Sequence, residues 1–187
     1  MRIIGGKYRG AILANVGKGD VLAQLRPTAD RVRENIFNLL INGGYGDLVK
    51  DAFVLDAFAG TGALGFEALS RGASCVLFID DGVKACSLIR KNIDILSVKK
   101  YAKVSKRDIT KYIKNDEIKY NLILLDPPYG KNLGEKALTV LLENGWLSDD
   151  VVCIWEENSQ KKAPIGFSIL DCRQYGDTWI HILEKQS

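Results

Sequence analysis

A chain of 187 residues that is 47% hydrophobic and 26% charged, with a formal net charge of +3, has the length of one ordinary domain and enough apolar side chains for a substantial core. No apolar run approaches the roughly 20 residues that cross a bilayer, and Met1-Arg-Ile-Ile-Gly-Gly-Lys-Tyr8 holds no signal-peptide hydrophobic stretch, so the chain is expected in the cytoplasm with no membrane partner. The cysteines Cys75, Cys86, Cys153 and Cys172 are widely spaced, form no C-x-x-C and accompany a single histidine; they argue against a disulfide scaffold and a structural zinc, and no metal is expected.

Residues 1 to 35 carry the basic side chains Arg2, Lys7, Arg9, Lys18, Arg26, Arg31 and Arg33 against Asp20, Asp30 and Glu34, a local charge of +4 that leaves −1 for the remainder. Arg2 to Leu13 and Val21 to Leu25 read as short strands linked through glycine-rich turns, a small β-hairpin appendage over residues 1–28. Basic patches attract phosphate backbones without reading sequence. The appendage is therefore expected to dock nucleic acid, with Arg2, Lys7, Arg9, Arg26 and Arg33 as its contacts.

Thr28 is a suitable N-cap for a helix over 29–41, in which Val32, Ile36, Phe37, Leu39 and Leu40 make one apolar face, and Gly43-Gly-Tyr-Gly46 ends it. From Phe53 onward, strand-like runs at 53–56, 75–79, 103–107, 122–125 and 151–155 alternate with helix-like runs at 62–71, 82–96 and 133–144. Such alternation predicts an α/β domain over 29–187, with a parallel sheet covered on both faces. The last two runs, 167–173 and 178–183, flank the turn signal Gln174-Tyr-Gly-Asp177 and read as an antiparallel pair. Cys75 and Cys153 lie in apolar runs and are expected in the core. His181, in the alternating run Trp179-Ile-His-Ile-Leu183, is expected on the strand surface and not as a general base. A second basic cluster, Arg90, Lys91, Lys99, Lys100, Lys103, Lys106 and Arg107, is opposed only by Asp94 and reads mainly as a solvated helix face.

Two segments carry chemistry. Phe53-Val-Leu-Asp56-Ala-Phe-Ala-Gly60-Thr-Gly62-Ala-Leu-Gly65 reads as strand, glycine-rich turn and helix start, and Asp80 follows about 20 residues later, which literally matches the dinucleotide fingerprint. A pyrophosphate at a helix N-terminus would be repelled by Asp56 at the mouth of the turn. A nucleoside with a cationic tail fits better, with Asp80 accepting from ribose hydroxyls, and that ligand is S-adenosylmethionine. A nicotinamide oxidoreductase remains the alternative. Further on, Leu122-Ile-Leu-Leu-Asp126-Pro-Pro-Tyr129 joins a buried-strand pattern to a rigid polar corner. A carboxylate and a proline carbonyl can accept both hydrogens of an exocyclic amine, while a tyrosine ring offers a stacking face worth roughly 1–3 kcal/mol per base. Alone, the tetrapeptide is equally compatible with a turn that ends a strand. The strand-end rule for α/β sheets puts Asp56, Asp80, Asp108 and Asp126 along one rim; Asp108 is alternatively the cap of a helix over 109–114.

With these residues the chain resembles class I S-adenosylmethionine-dependent methyltransferases. It is most similar to the bacterial family that methylates the exocyclic N2 of a guanine in 16S, small-subunit ribosomal RNA. The likeness runs through Met1-Arg-Ile-Ile-Gly-Gly-Lys-Tyr-Arg-Gly10, Leu25-Arg-Pro-Thr-Ala-Asp-Arg-Val-Arg-Glu-Asn-Ile-Phe-Asn38, the glycine loop, Asp126 to Tyr129 and Tyr175-Gly-Asp-Thr178, essentially the whole chain. It implies a Rossmann-like, mostly parallel seven-stranded sheet with helices on both faces and a C-terminal antiparallel hairpin. It also implies that Asp56, Ala57, Phe58, Gly60 and Gly62 hold the methionine moiety of the cofactor, with Thr28 and its neighbours Arg26 and Pro27 near that end. Asp80 would take the ribose and Asp108 the adenine amine. Asp126, Pro127, Pro128 and Tyr129 would hold the target base beside the sulfonium for direct displacement, with S-adenosylhomocysteine as product. The implied partner is 16S ribosomal RNA in a partly or fully assembled small subunit, met by a monomer. A methyltransferase for DNA adenine would need a target-recognition region for which there is little room, and one for protein glutamine typically has asparagine where Asp126 stands. A non-catalytic RNA-binding module that keeps the cofactor fold is the alternative outside enzymes, and the acidic rim argues against it.

Overall fold

The computed structural model describes residues 1–14, 30–112, 114–115 and 117–186. Its elements in chain order are α1 (Asp30–Asn42), β1 (Phe53–Ala57), α2 (Ala63–Ser70), β2 (Cys75–Asp80), α3 (Val83–Leu96), β3 (Ala102–Lys106), β4 (Tyr120–Leu125), α4 (Leu133–Glu143), β5 (Leu147–Glu157), β6 (Phe167–Tyr175) and β7 (Thr178–Lys185). The seven strands form one sheet in the order β3-β2-β1-β4-β5-β7-β6. All pairings from β3 across to β5 are parallel, and β7 runs antiparallel between β5 and β6. The expected mostly parallel sheet with a terminal antiparallel hairpin is present.

Strand periodicity divides the core in two. Val54, Val76, Phe78, Leu122, Leu124, Val152 and Ile154 point to one face and pack with apolar residues of α1, α2 and α3. Leu55, Ile79, Ile123, Leu125, Cys153 and Trp155 point to the other and pack with Ala137, Leu138 and Leu141 of α4. Both faces of the parallel strands are thus dry, which is why these strands read as continuous apolar runs and not as alternating ones. Successive strands proceed from β1 to β3 in one direction and from β4 to β5 in the other. The crevice at the carboxyl ends of β1 and β4 is consequently the switch point of the sheet, where open α/β folds receive ligands.

The first fourteen residues pair with themselves through the Arg2–Ile12 bridge and hydrogen bonds such as Ile3 N–H to Ala11 O at 3.0 Å. They also bury Ile3 and Leu13 in the core shared by α1 and α2. The carboxylate of Glu67, in α2, accepts the Ile4 N–H at 2.9 Å, the Gly5 N–H at 2.8 Å and Arg71 Nε at 2.8 Å, and it lies 3.6 Å from Arg33 Nε. Glu67 is fully buried and Arg33 nearly so. Arg33 additionally donates to Arg2 O at 2.6 Å and to Asp30 at 3.0 Å. The N-terminal segment, α1 and the end of α2 therefore converge on one carboxylate.

Three expectations change. His181 is fully buried, because β7 is an interior strand between β5 and β6 and not an edge. Its Nε2 accepts the Lys161 N–H at 2.9 Å and its Nδ1 lies 3.3 Å from Trp155 O, so a neutral ring protonated at Nδ1 pins the loop after β5 to the sheet. Burial holds its pKa below the ordinary value, which favours that neutral form. Cys153 is a core residue as expected, whereas Cys75, at the start of β2, is only half-buried. Among the described residues no helix follows Asp108; a turn does, in which Asp108 accepts both the N–H and the hydroxyl of Thr110. The expected strand at 21–25 and the N-cap Thr28 lie outside the described residues.

Glu67→Ala is expected to lower unfolding free energy by about 3–5 kcal/mol, since it takes the buried counter-charge away from the Arg33 guanidinium and leaves the Ile4 and Gly5 amides without their acceptor. Denaturant unfolding measures the loss, and hydrogen exchange should show the Ile4 and Gly5 amides losing protection first.

Candidate active site

The β1–α2 turn is built around a carboxylate placed beneath it. Asp56 is 2% exposed, and its Oδ2 accepts the Gly65 N–H at 2.9 Å. A Cβ at Gly65 would stand 2.4 Å from the Phe78 ring and 2.9 Å from Asp56 Oδ2, so only glycine admits this close approach of helix to strand. Gly60 and Gly62 both take positive φ, and Phe58 does so at 59° as a bulky residue, a strained conformation costing about 1–3 kcal/mol. The chain reverses here so that Ala59 N–H reaches Ile79 O at 3.0 Å and Gly60 N–H reaches Asp80 Oδ2 at 2.8 Å.

Asp80, at the end of β2, also accepts the Gly82 N–H through Oδ1 at 2.8 Å, so it ties the turn after β1 to the turn after β2. Each of its oxygens keeps acceptor capacity for a further donor. Burial is the main cause that raises the Asp56 carboxyl well above the usual carboxylate range; the Gly65 bond opposes it, and the charges of Asp126 and Asp80 add to it. Asp80 is raised too, again chiefly by burial, against the pull of its two backbone bonds and with help from Asp81. Asp108 moves the other way, lowered first by the Thr110 hydroxyl and then by the Thr110 N–H and Lys111, whose Nζ is 3.4 Å away. The rim thus concentrates negative charge that a cation would relieve. Asp56 is too buried to offer a surface, and what it fixes directly is the loop, through Gly65.

Across the switch point, Asp126 follows the last residue of β4 and is half-buried, Pro127 is buried, Pro128 is exposed and Tyr129 is half-buried. Burial first, then the charges of Glu156 and Asp126, pushes the Tyr129 phenol far above its ordinary value. The phenol is a hydrogen-bond donor at every working pH, and it donates to Glu156 Oε1 at 3.0 Å. Asp56, Ala57, Phe58, Gly60, Gly62, Asp80 and Asp126 to Tyr129 therefore share one rim, with Asp108 at its outer end after β3.

The basic residues separate into distinct groups. Arg2, Lys7 and Arg9 are exposed, with Arg2 Nε 3.5 Å from Asp30. Arg33 does not join them: it is 1% exposed and engaged by Glu67, Asp30 and Arg2 O, so it offers no charge to a phosphate. Arg26 and Thr28 lie outside the described residues. The segment that contains them departs from Ala14, which Asn92 holds beside the glycine loop by bonding Ala14 N–H, Ala14 O and Thr61 O. The second basic cluster is exposed along α3 and β3, at the sheet edge remote from β4, and part of it borders a 460 Å³ hollow lined by Ile93, Asp94, Ser97, Lys99, Lys100 and Tyr101. No carboxylate of the rim reaches that hollow. Sequence reasoning missed Glu67 and Glu156. The acidic residue inside an otherwise apolar helix signals the first; the strand-end rule applied to β5 would have found the second, had the strand been extended past Trp155.

Residues 1–184 match a family model described as Conserved hypothetical protein 95. Ribosomal RNA small subunit methyltransferase D of Escherichia coli strain K12 is 35% identical over 172 residues, covering 90% of this chain and 82% of that protein. The protein of the same name in Haemophilus influenzae is 34% identical over 164 residues, 86% of this chain and 80% of its own length. A solved Escherichia coli structure that carries a provisional methyltransferase name has a TM-score of 0.83 at 32% identity, covering 100% of this chain and 98% of that one. Among the described residues no helix is long and apolar enough to cross a membrane, and no group of three or more His, Cys, Asp or Glu is arranged to hold a metal.

Asp56→Asn tests the charge under the turn. With a raised carboxyl pKa the folded state binds more protons than the unfolded chain above about pH 3.9, so this group costs stability increasingly as pH rises through that window. Asparagine keeps an acceptor for Gly65 and carries no charge. The ligand-free variant should therefore melt higher than the parent at pH 7, with the difference vanishing as pH falls toward about 4; thermal denaturation from pH 4 to 8 reads it, and a constant offset would contradict the assignment.

Proposed function

The chain belongs to the family described as Conserved hypothetical protein 95, a family of methyltransferase enzymes, and from that premise we propose that it methylates the exocyclic N2 of a guanine in small-subunit ribosomal RNA. The observation that carries this reading is the corner Asp126-Pro127-Pro128-Tyr129 at the end of β4, facing the glycine turn of β1 across the switch point. S-adenosylmethionine, when bound, would supply an electrophilic methyl that bonds to the guanine N2 as its bond to sulfur breaks, with S-adenosylhomocysteine leaving and N2 losing one proton.

The residues divide the labour. The glycine turn, with Phe58 and Gly60 at its surface, receives the methionine end, and the combined field of Asp56, Asp80 and Asp126 favours a cationic sulfur there. Asp80 accepts from ribose hydroxyls with the lone pairs that Gly60 and Gly82 leave, and Asp108 accepts from the adenine amine. A guanine amine is a weak nucleophile because its lone pair is delocalised into the ring. The Asp126 carboxylate and the Pro127 carbonyl accept its two hydrogens and favour a pyramidal nitrogen, with the lone pair aimed across the crevice. Holding reacting atoms about 3–3.5 Å apart in that alignment supplies several kcal/mol of the barrier. Asp126 is also the carboxylate nearest the proton that N2 releases. The base must leave its stack to enter, and the Tyr129 ring compensates with a stacking face. Exposed Arg2, Lys7 and Arg9 form the docking surface for phosphates.

Asp126→Ala is expected to abolish methyl transfer to ribosomal RNA while leaving the S-adenosylmethionine dissociation constant within a few-fold; near-normal turnover would remove the amine-holding role. Asp80→Ala should weaken cofactor binding by an amount equivalent to a charge-assisted bond or two, each about 1.5–3 kcal/mol, measured by calorimetry beside a melting curve that reports the loss of the Gly60 and Gly82 ties. Replacing Arg2, Lys7 and Arg9 together by glutamine should weaken RNA binding and flatten its salt dependence with cofactor affinity unchanged, because fewer counterions are released; an unaltered salt slope transfers docking to the cluster of Arg90 to Arg107. Nucleoside mass spectrometry of ribosomal RNA from cells lacking the protein identifies the modified base.

A further inference from the structure

Tyr129 stands in an unusual position for a side chain that must present a fixed face. Two prolines hold its backbone on one side, but Gly130 follows at a φ of 75° and the ring itself is half-buried. Backbone rigidity does not fix the plane of a tyrosine ring, since rotation about its side-chain torsions remains. The far end of the ring is held instead by β5: the phenol donates to Glu156 Oε1 at 3.0 Å. Glu156 is itself buried, 5% exposed, and its backbone is in register with Ile180 in the β5–β7 ladder, so the acceptor for the phenol is carried by an interior strand pair and not by a loop.

We propose that Glu156 is a positioning residue for methyl transfer: through the Tyr129 phenol it sets the plane of the face on which the acceptor base stacks. The proposal rests on the methyltransferase reading above and extends the site beyond β4. The base still meets only Tyr129, Asp126 and Pro127; Glu156 acts through the ring.

The test is a double-mutant cycle on the full chain with S-adenosylmethionine and small-subunit ribosomal RNA. Tyr129→Phe keeps the stacking ring and removes the tether, and Glu156→Leu removes the acceptor. Each should lower kcat/KM for RNA by about 10- to 100-fold, the scale of a small misplacement of reacting groups, with cofactor affinity unchanged. The double variant should be no worse than the worse single variant, and Glu156→Gln, whose amide oxygen still accepts from the phenol, should recover activity to within a few-fold of the parent. Multiplying losses in the double variant, or Glu156→Gln as impaired as Glu156→Leu, would overturn the proposal. Should Glu156→Leu fail to fold, Glu156→Met, which fills the same space without a carboxylate, takes its place in the cycle. An independent reading comes from ring-labelled tyrosine: the Tyr129 resonance, assigned by its disappearance in Tyr129→Phe, should shift in Glu156→Leu and stay near its parent position in Glu156→Gln. An unmoved resonance defeats the tether even where activity falls, whereas a parent protein that transfers no methyl group to RNA defeats the functional reading and leaves the resonance to decide the tether.

Discussion

A carboxylate sealed beneath a glycine turn is the constraint on which the rest of the site depends. Asp56 ends β1 with a charge that burial opposes, and the turn can close over it only because Gly65 brings a backbone N–H to within 2.9 Å with no side chain in the way. That closure sets the start of α2, throws Phe58 into a left-handed backbone conformation, and leads Gly60 to the carboxylate of Asp80 on the neighbouring strand. The ends of β1 and β2 are thereby locked to one another by side-chain-to-backbone bonds and not by packing alone. The arrangement is unfavourable for an empty site and favourable for one that holds a cation, which is the usual relation between local strain and function.

The N-terminal segment belongs to the same logic of buried charge. Glu67 satisfies the Ile4 and Gly5 amides and faces two arginines from α1 and α2, so the first residues of the chain are held against the helix that leaves the glycine turn. Removing one partner of such a set exposes the others to an uncompensated burial cost, which makes the whole junction cooperative. Asn92 extends it from α3 to Ala14 and Thr61. A basic arm anchored at these points presents Arg2, Lys7 and Arg9 outward while its backbone stays registered to the glycine turn.

The acceptor side is organised by the antiparallel insertion of β7. Because β7 lies between β5 and β6, Glu156 and Glu157 continue the β5 ladder to its end and are buried, and Thr178 is brought to the rim. His181, neutral and interior, holds the loop that follows β5 onto this ladder through Lys161 N–H. The terminal hairpin is therefore more than a closing element for the sheet edge.

Local pattern alone carried the parallel core. The apolar runs of β1, β2 and β4, the helical face of α1 and the turn at Gln174 to Asp177 each declare their structure within a few residues, because a strand dry on both faces and a helix with one apolar stripe leave unmistakable periods. The acidic strand ends Asp56, Asp80, Asp108 and Asp126 were legible too, since a topological rule assigns all parallel strand ends to one rim before any coordinates exist. What the chain could not declare locally are properties of pairing between distant segments. Arg33 reads as a surface cation until Glu67, 34 residues on, takes it into the core, and His181 reads as a surface residue until β7 is inserted between two strands instead of placed at the edge. Glu156 gains its meaning only from the Tyr129 phenol, 27 residues earlier. Short-range periodicity determines which residues form elements and where polar strand ends gather; only the tertiary structure decides which charges are buried against which partners, because that depends on the order of strands in the sheet and not on the order of residues in the chain.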